Sequence, residues 1–214
     1  MLSPIFSINF EGPAINQFIR LVMASLILAI LVLPLMAQAP ETKSSARLTE
    51  KDREFAINQL KASREKFVNA VAGLSEAQLK FKSAPDRWSV AEVAEHITLS
   101  EDFLFNILTN SVLKSQATPD KERKVTDEQV LAVVTDRSVK AQAPEPLKPA
   151  SKWKDIAETM REFERRRSNT IDFLKSTKVD LRSHFSSFGN RGEIDALQWF
   201  LVISALRTSH RANQ

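Results

Sequence analysis

The sequence predicts an all-α fold, a four-helix bundle with long crossover connections. Four long stretches repeat apolar residues at spacings of three and four, the signature of a helix with one face built to pack. Ser or Thr followed three residues later by Glu or Gln recurs ahead of such stretches, as in a capping box. Four glycines and no tyrosine argue against a loop-rich β protein.

The first long helix starts after Thr49, with Glu50 and Asp52 in its first turn, and runs to about Gly73. Ile57, Leu60, Phe67, Val71 and Leu74 form its stripe, and Arg64 takes the one slot left polar. Ser75 to Gln78 opens a short turn of helix that Ser83 to Asp86 breaks. Ser89 caps the second long helix, Val90 to about Lys114, with Trp88 ahead of it as a hydrophobic staple. Its apolar face is Val93, Ile97, Phe103, Leu104, Ile107 and Leu108. Thr126 caps a short helix through Val134. Residues 141–150, with Pro144, Pro146 and Pro149, are an extended connection of the kind that lies over a bundle end as a strap. The third long helix spans Lys152 to about Lys175, with Trp153, Ile156, Met160, Phe163, Thr170 and Leu174 on its stripe and Arg167 in the remaining slot. A loop follows from Asp180 to Gly192. Ile194 opens the fourth helix, apolar nearly all round between Leu197 and Ala205, as the most buried helix of a bundle should be.

At 214 residues and 43% hydrophobic content, the chain holds a leader and one domain. Residues 1–39 read as a signal peptide or N-terminal membrane anchor. An apolar run from Leu21 to Ala37 follows Arg20, Ala37 to Ala39 is the cleavage region, and Pro40 directly after it favours the uncleaved alternative. A start at Met23 would discard Arg20. Residues 40–47 are a polar linker, and residues 48–214 are the bundle domain. Either form of leader places the domain outside the cytoplasm, periplasmic or secreted, with membrane contact only through the N-terminal segment. The absence of cysteine excludes disulfides, thiolate metal sites and a cysteine nucleophile. A net charge of +4 is a modest excess; its densest cluster, Arg161 to Arg167, is interleaved with glutamates and reads as a solvated helix face. Together with export, that argues against nucleic acid as a partner.

Histidine carries the remaining chemistry. His96 follows Val93 and precedes Ser100 at helical spacing, so it faces the bundle interior either as a satisfied structural residue or as a metal ligand. Glu92, one turn earlier, is placed to orient the ring with its carboxylate. His210 continues the line Trp199, Ile203, Leu206 on the fourth helix. His184 falls in the loop before it and reads as solvent-exposed. Trp153, Phe163 and Trp199 read as core packing. No G-x-S-x-G elbow, H-E-x-x-H or phosphate-cradling glycine loop occurs.

Two stretches, Trp88-Ser-Val-Ala-Glu-Val-Ala-Glu-His96-Ile97 and Asp195-Ala-Leu-Gln-Trp-Phe-Leu-Val-Ile-Ser-Ala205, resemble the DinB-like superfamily of bacterial helical-bundle proteins. The resemblance implies a divalent metal, zinc or nickel, on three histidines, supporting hydrolase or transferase chemistry on a small molecule; it is compatible with a homodimer. His96 matches the first ligand. The last helix of the family ends H-x-x-x-H before a Gln-Ile pair, and here the first of those positions is Leu206, the second is His210, and the usual preceding arginine is Ser209. Under one choice of synonymous codons, residues 205–214 shifted by one base read His-Ser-Glu-Arg-His-Thr-Glu-Gln-Ile, the family ending. A frameshift is the hypothesis this suggests, and sequencing the 3′ end of the gene tests it. Two functions follow. One is an exported DinB-like protein, ancestrally a metal-dependent hydrolase or transferase. The other is a non-catalytic bundle whose metal site is incomplete through C-terminal divergence or frameshift.

Overall fold

The computed structural model describes residues 47–136, 138 and 142–210, the last four by their backbone alone. The leader, most of the polar linker and the side chain of His210 lie outside the described residues. The order is α1 (Glu50–Val71), α2 (Glu76–Lys80), α3 (Val90–Asn110), α4 (Asp127–Thr135), α5 (Ile156–Ser176), β1 (Phe185–Ser187), β2 (Glu193–Asp195) and α6 (Ala196–His210). The fold is the expected all-α bundle, with α1, α3, α5 and α6 as its long helices. Among the described residues no helix is long and apolar enough to cross a membrane.

The expected capping boxes form. The side chains of Thr49, Ser75, Ser89 and Thr126 each accept from the N–H three residues on, and each of those residues returns a side-chain bond to the cap. Each box satisfies two of the donors that the start of a helix leaves without partners. α6 has the same device in Asp195 and Gln198, whose side chains accept from each other's backbone N–H at 2.8 and 3.1 Å.

The core has two parts. The larger surrounds α6, where Leu197, Phe200, Leu201 and Ile203 are fully buried against Ala56 and Leu60 of α1, Leu108 of α3 and Val130 of α4. The smaller lies toward the start of α3 and joins Phe67, Val71, Leu79, Ala94, Ile97 and Phe163, with Phe67 and Phe163 packed edge to face at 4.6 Å.

Several boundaries and faces differ from the sequence reading. α3 stops at Asn110 and a 3-10 turn covers Val112–Lys114. Phe103 is exposed rather than part of the α3 face, because it sits about 200° round the helix from the buried Glu101. α5 begins at Ile156, since Asp155 is its cap and the N–H groups of residues 150–152 are held from outside by Glu95; Trp153 precedes the helix. The loop before α6 contains a hairpin, with Phe185 opposite Asp195 and Ile194 in β2 rather than in the helix. Gly192, at φ 95°, supplies the left-handed backbone that lets this turn close, and Trp199 anchors the hairpin through a 2.9 Å bond to Ser186 Oγ.

Charge is also placed differently. Arg166 and Arg167, read as part of a solvated face, are buried. Arg166 pairs with Asp102 at 2.5 Å and lies over the Trp153 ring. Arg167 forms a buried pair with Glu101, donates to the carbonyls of Leu60 at 2.9 Å and Ile203 at 3.3 Å, and bonds Ser63 Oγ. One guanidinium on α5 therefore touches α1, α3 and α6.

Candidate functional site

His96 sits on the second turn of α3, 4% exposed. Its ring lies 5.0 Å from that of Trp88, the residue that leads into the Ser89 cap. Its Nδ1 contacts the carbonyl of Leu147 at 2.7 Å. Leu147 is the buried residue of the proline-rich connection, so the strap expected from the sequence crosses the bundle at His96. Burial holds the His96 pKa below the ordinary histidine value, and the Leu147 contact opposes that shift without cancelling it. Donation from Nδ1 to a carbonyl fixes the neutral tautomer with Nε2 as the acceptor or ligand atom.

Glu92 has other bonds. One carboxylate oxygen accepts from Ser89 N at 2.7 Å and the other from Lys82 Nζ at 2.7 Å; burial works to raise its pKa, but the bonds from Lys82 and Ser89 together outweigh it and hold the pKa below the ordinary value. The carboxylate that sequence reasoning missed is Glu95. It is buried and accepts from three consecutive N–H groups of the connection, Ala150 at 3.0 Å, Ser151 at 3.1 Å and Lys152 at 2.9 Å. Its place beside an inward-facing histidine was visible in the sequence. Its partners, more than fifty residues away, were not.

α3 and α6 run in opposite directions. His184, whose carbonyl accepts from Ala196 N at the start of α6, is half-buried and contacts Ser115 O at 3.0 Å, just past the end of α3. At mid-helix Arg167 joins Glu101 to Ile203 O. Stepping about 7.5 Å from that level, back along α3 to His96 and forward along α6, reaches the backbone turn 206–210. The helix register thus brings the backbone of residues 206–210 to the height of His96 along the bundle. His184 lies at the other end, since His96 to Asn110 alone spans about 21 Å.

Residues 59–210 match the sequence pattern of the DinB superfamily. The chain belongs to that superfamily. The DinB-like chain is also 27% identical over 112 residues to an uncharacterized protein of Bacillus subtilis (strain 168), YuaE. That match covers 52% of this chain and 65% of the relative, less than two thirds of its length. No solved structure matches the chain.

A divalent metal of the family's kind calls for three protein donors around one ion. Among the described residues, no three His, Asp or Glu side chains are grouped to hold a metal ion. At the His96 level, position 206 is an aliphatic side chain, and the neighbouring carboxylates Glu92 and Glu95 are bound to Lys82 and to backbone N–H groups. The described donor set does not fit a three-ligand site.

Proposed function

We propose that this DinB superfamily member is an extracytoplasmic, non-catalytic bundle. In it the family's first metal-ligand position has become a structural pin, and metal-dependent hydrolase or transferase chemistry on small molecules is ancestral. The observation that carries the reading is the His96 contact, a buried ring bonded to Leu147 O and packed on Trp88; the position where the family pattern carries its next histidine is Leu206 in this sequence. A buried carbonyl left without its donor costs about 1–3 kcal/mol, so the pin has a measurable stability. The apolar run 21–37 supports export or anchoring.

One observation favours the other reading. A histidine that bonds a carbonyl through Nδ1 presents Nε2, the arrangement that supports a ligand to zinc or nickel, and the His210 backbone lies at that level. Elemental analysis of the purified protein decides between them. The pin reading expects no stoichiometric zinc, nickel, manganese or iron, and a His96→Ala variant that loses stability without losing metal. One equivalent of a divalent ion that disappears in His96→Ala would overturn it in favour of the metal-dependent enzyme.

A further inference from the structure

Among its described residues, the connection between α4 and α5 has a single 3-10 turn, Glu145–Leu147, as regular structure. Pro144, Pro146 and Pro149 remove backbone donors, and the backbone N–H bonds of the 3-10 turn Glu145–Leu147 stay local, Leu147 N to Pro144 O and Lys148 N to Glu145 O. Two adjacent side chains of α3 tie it down, His96 through the Leu147 carbonyl and Glu95 through the three N–H groups of residues 150–152. Three successive N–H groups converge on one carboxylate because Ser151 turns into the left-handed region at φ 56°. That conformation is unfavourable for a residue with a Cβ, so the carboxylate holds the backbone in a shape it would otherwise leave.

We propose that residues 142–152 are a latched lid over His96, with Glu95 as the latch. When Glu95 releases the three N–H groups, the strap lifts as a unit while the bundle stays folded. The prolines keep the strap stiff, so it moves as a body. Leu147 is its buried apolar anchor. The pairing of α3 with α5 does not depend on the strap, because Arg166 with Asp102 and Arg167 with Glu101 hold the two helices directly. Beyond the strap the Arg166 guanidinium lies over the Trp153 ring, which marks where the moving segment ends. Access of a small solute to the His96 ring is thus set by local release of the strap, with Glu95 holding most of its bonds, and not by breathing of the core. The proposal is independent of whether an ion binds His96.

Amide hydrogen exchange on the full chain, with diethyl pyrocarbonate labelling of His96 read by peptide mapping, tests this. In the wild type, amides 150–152 exchange through an opening with little denaturant dependence, while mid-helix amides of α3 and α6 follow global unfolding. Glu95→Gln speeds exchange at 150–152 by about tenfold or more, as weakening charge-assisted bonds should, raises His96 labelling in step and leaves α6 amides unchanged. Ser151→Gly, which removes the strain, slows exchange at the same amides. If Glu95→Gln does not fold, the denaturant dependence in the wild type and the Ser151→Gly comparison carry the test. The lid is overturned if amides 150–152 share the denaturant dependence of the core, if Glu95→Gln speeds strap and core alike, if Ser151→Gly leaves or hastens strap exchange, or if His96 labelling stays flat while the strap opens.

Discussion

Arg167 places a full charge inside the bundle, where removing it from water is costly and only close partners offset the cost. It has them: Glu101, Ser63 and two carbonyls use its donors, and its guanidinium lies 5.2 Å from the centre of the Phe163 ring. The pair is therefore far more sensitive to losing one member than both. Glu101→Gln leaves a buried cation uncompensated and should destabilise by about 3–5 kcal/mol. The double variant Glu101→Leu, Arg167→Met should lose much less than the sum of the two single changes. Urea unfolding of the wild type, Glu101→Gln, Glu101→Leu, Arg167→Met and the double variant measures this, and a Glu101→Gln cost below about 1 kcal/mol would show the pair to be worth no more than a surface one. The sequence marked Arg167 as the polar slot in an apolar stripe but not its partner, because Glu101 lies 66 residues away on another helix.

At the scale of elements, the caps decide where helices start. Ser89 is the most consequential of the four boxes, since it is buried and starts the helix that carries His96 and Glu95. Ser89→Ala should cost about 1 kcal/mol, readable as a shift in the urea midpoint with unchanged slope. No shift would mean that Trp88 and the Lys82–Glu92 pair position the helix start without the hydroxyl. These caps, and the three-and-four spacing between them, were legible because both are local signals. What was not legible was non-local. The β1–β2 hairpin has three-residue strands, too short for alternation to register, and Phe185 pairs with Asp195 only because two glycines let the turn close. The start of α5 was missed because residues 150–152 are held by Glu95 from another helix. At the site, the facing of His96 was readable from its neighbours, whereas the anchor at Leu147 came from a connection with no periodicity at all.

For the whole molecule, the long crossovers need something that fixes their ends to the bundle, and Arg182 does this. It is 2% exposed and bonds Asp52 of α1 at 2.9 Å, Asp127 of α4 at 2.9 and 2.6 Å, and Asp195 ahead of α6 at 2.9 Å. Burial opposes its charge, yet bonds and attraction from Asp127, Asp195 and Asp52 hold its pKa above the ordinary arginine value. The carboxylates respond in opposite senses. Burial works to raise the Asp52 pKa, but Thr49 and Arg182 outweigh it and bring it below 3.8; burial raises that of Asp195 despite Arg182. A lowered carboxylate pKa means that the folded state favours the charged form. The stability from Asp52 is thus complete above about pH 4 and is lost as pH falls through its folded value. Asp195 runs the other way, because its folded state takes up a proton sooner than the unfolded chain. Asp52→Asn should therefore flatten the loss of stability below pH 4, and Asp195→Asn should not. Arg182→Met removes the cation from all three carboxylates and should cost about 3–5 kcal/mol at neutral pH, more than any single Asp→Asn change. That deficit should narrow in acid, as the stranded carboxylates gain protons more readily in the folded state than in the unfolded one. Urea midpoints from pH 7 to pH 3 would measure it. A deficit that stays constant across that range would mean that the carboxylates find water or other donors once Arg182 is gone, so that the guanidinium contributes packing and not charge.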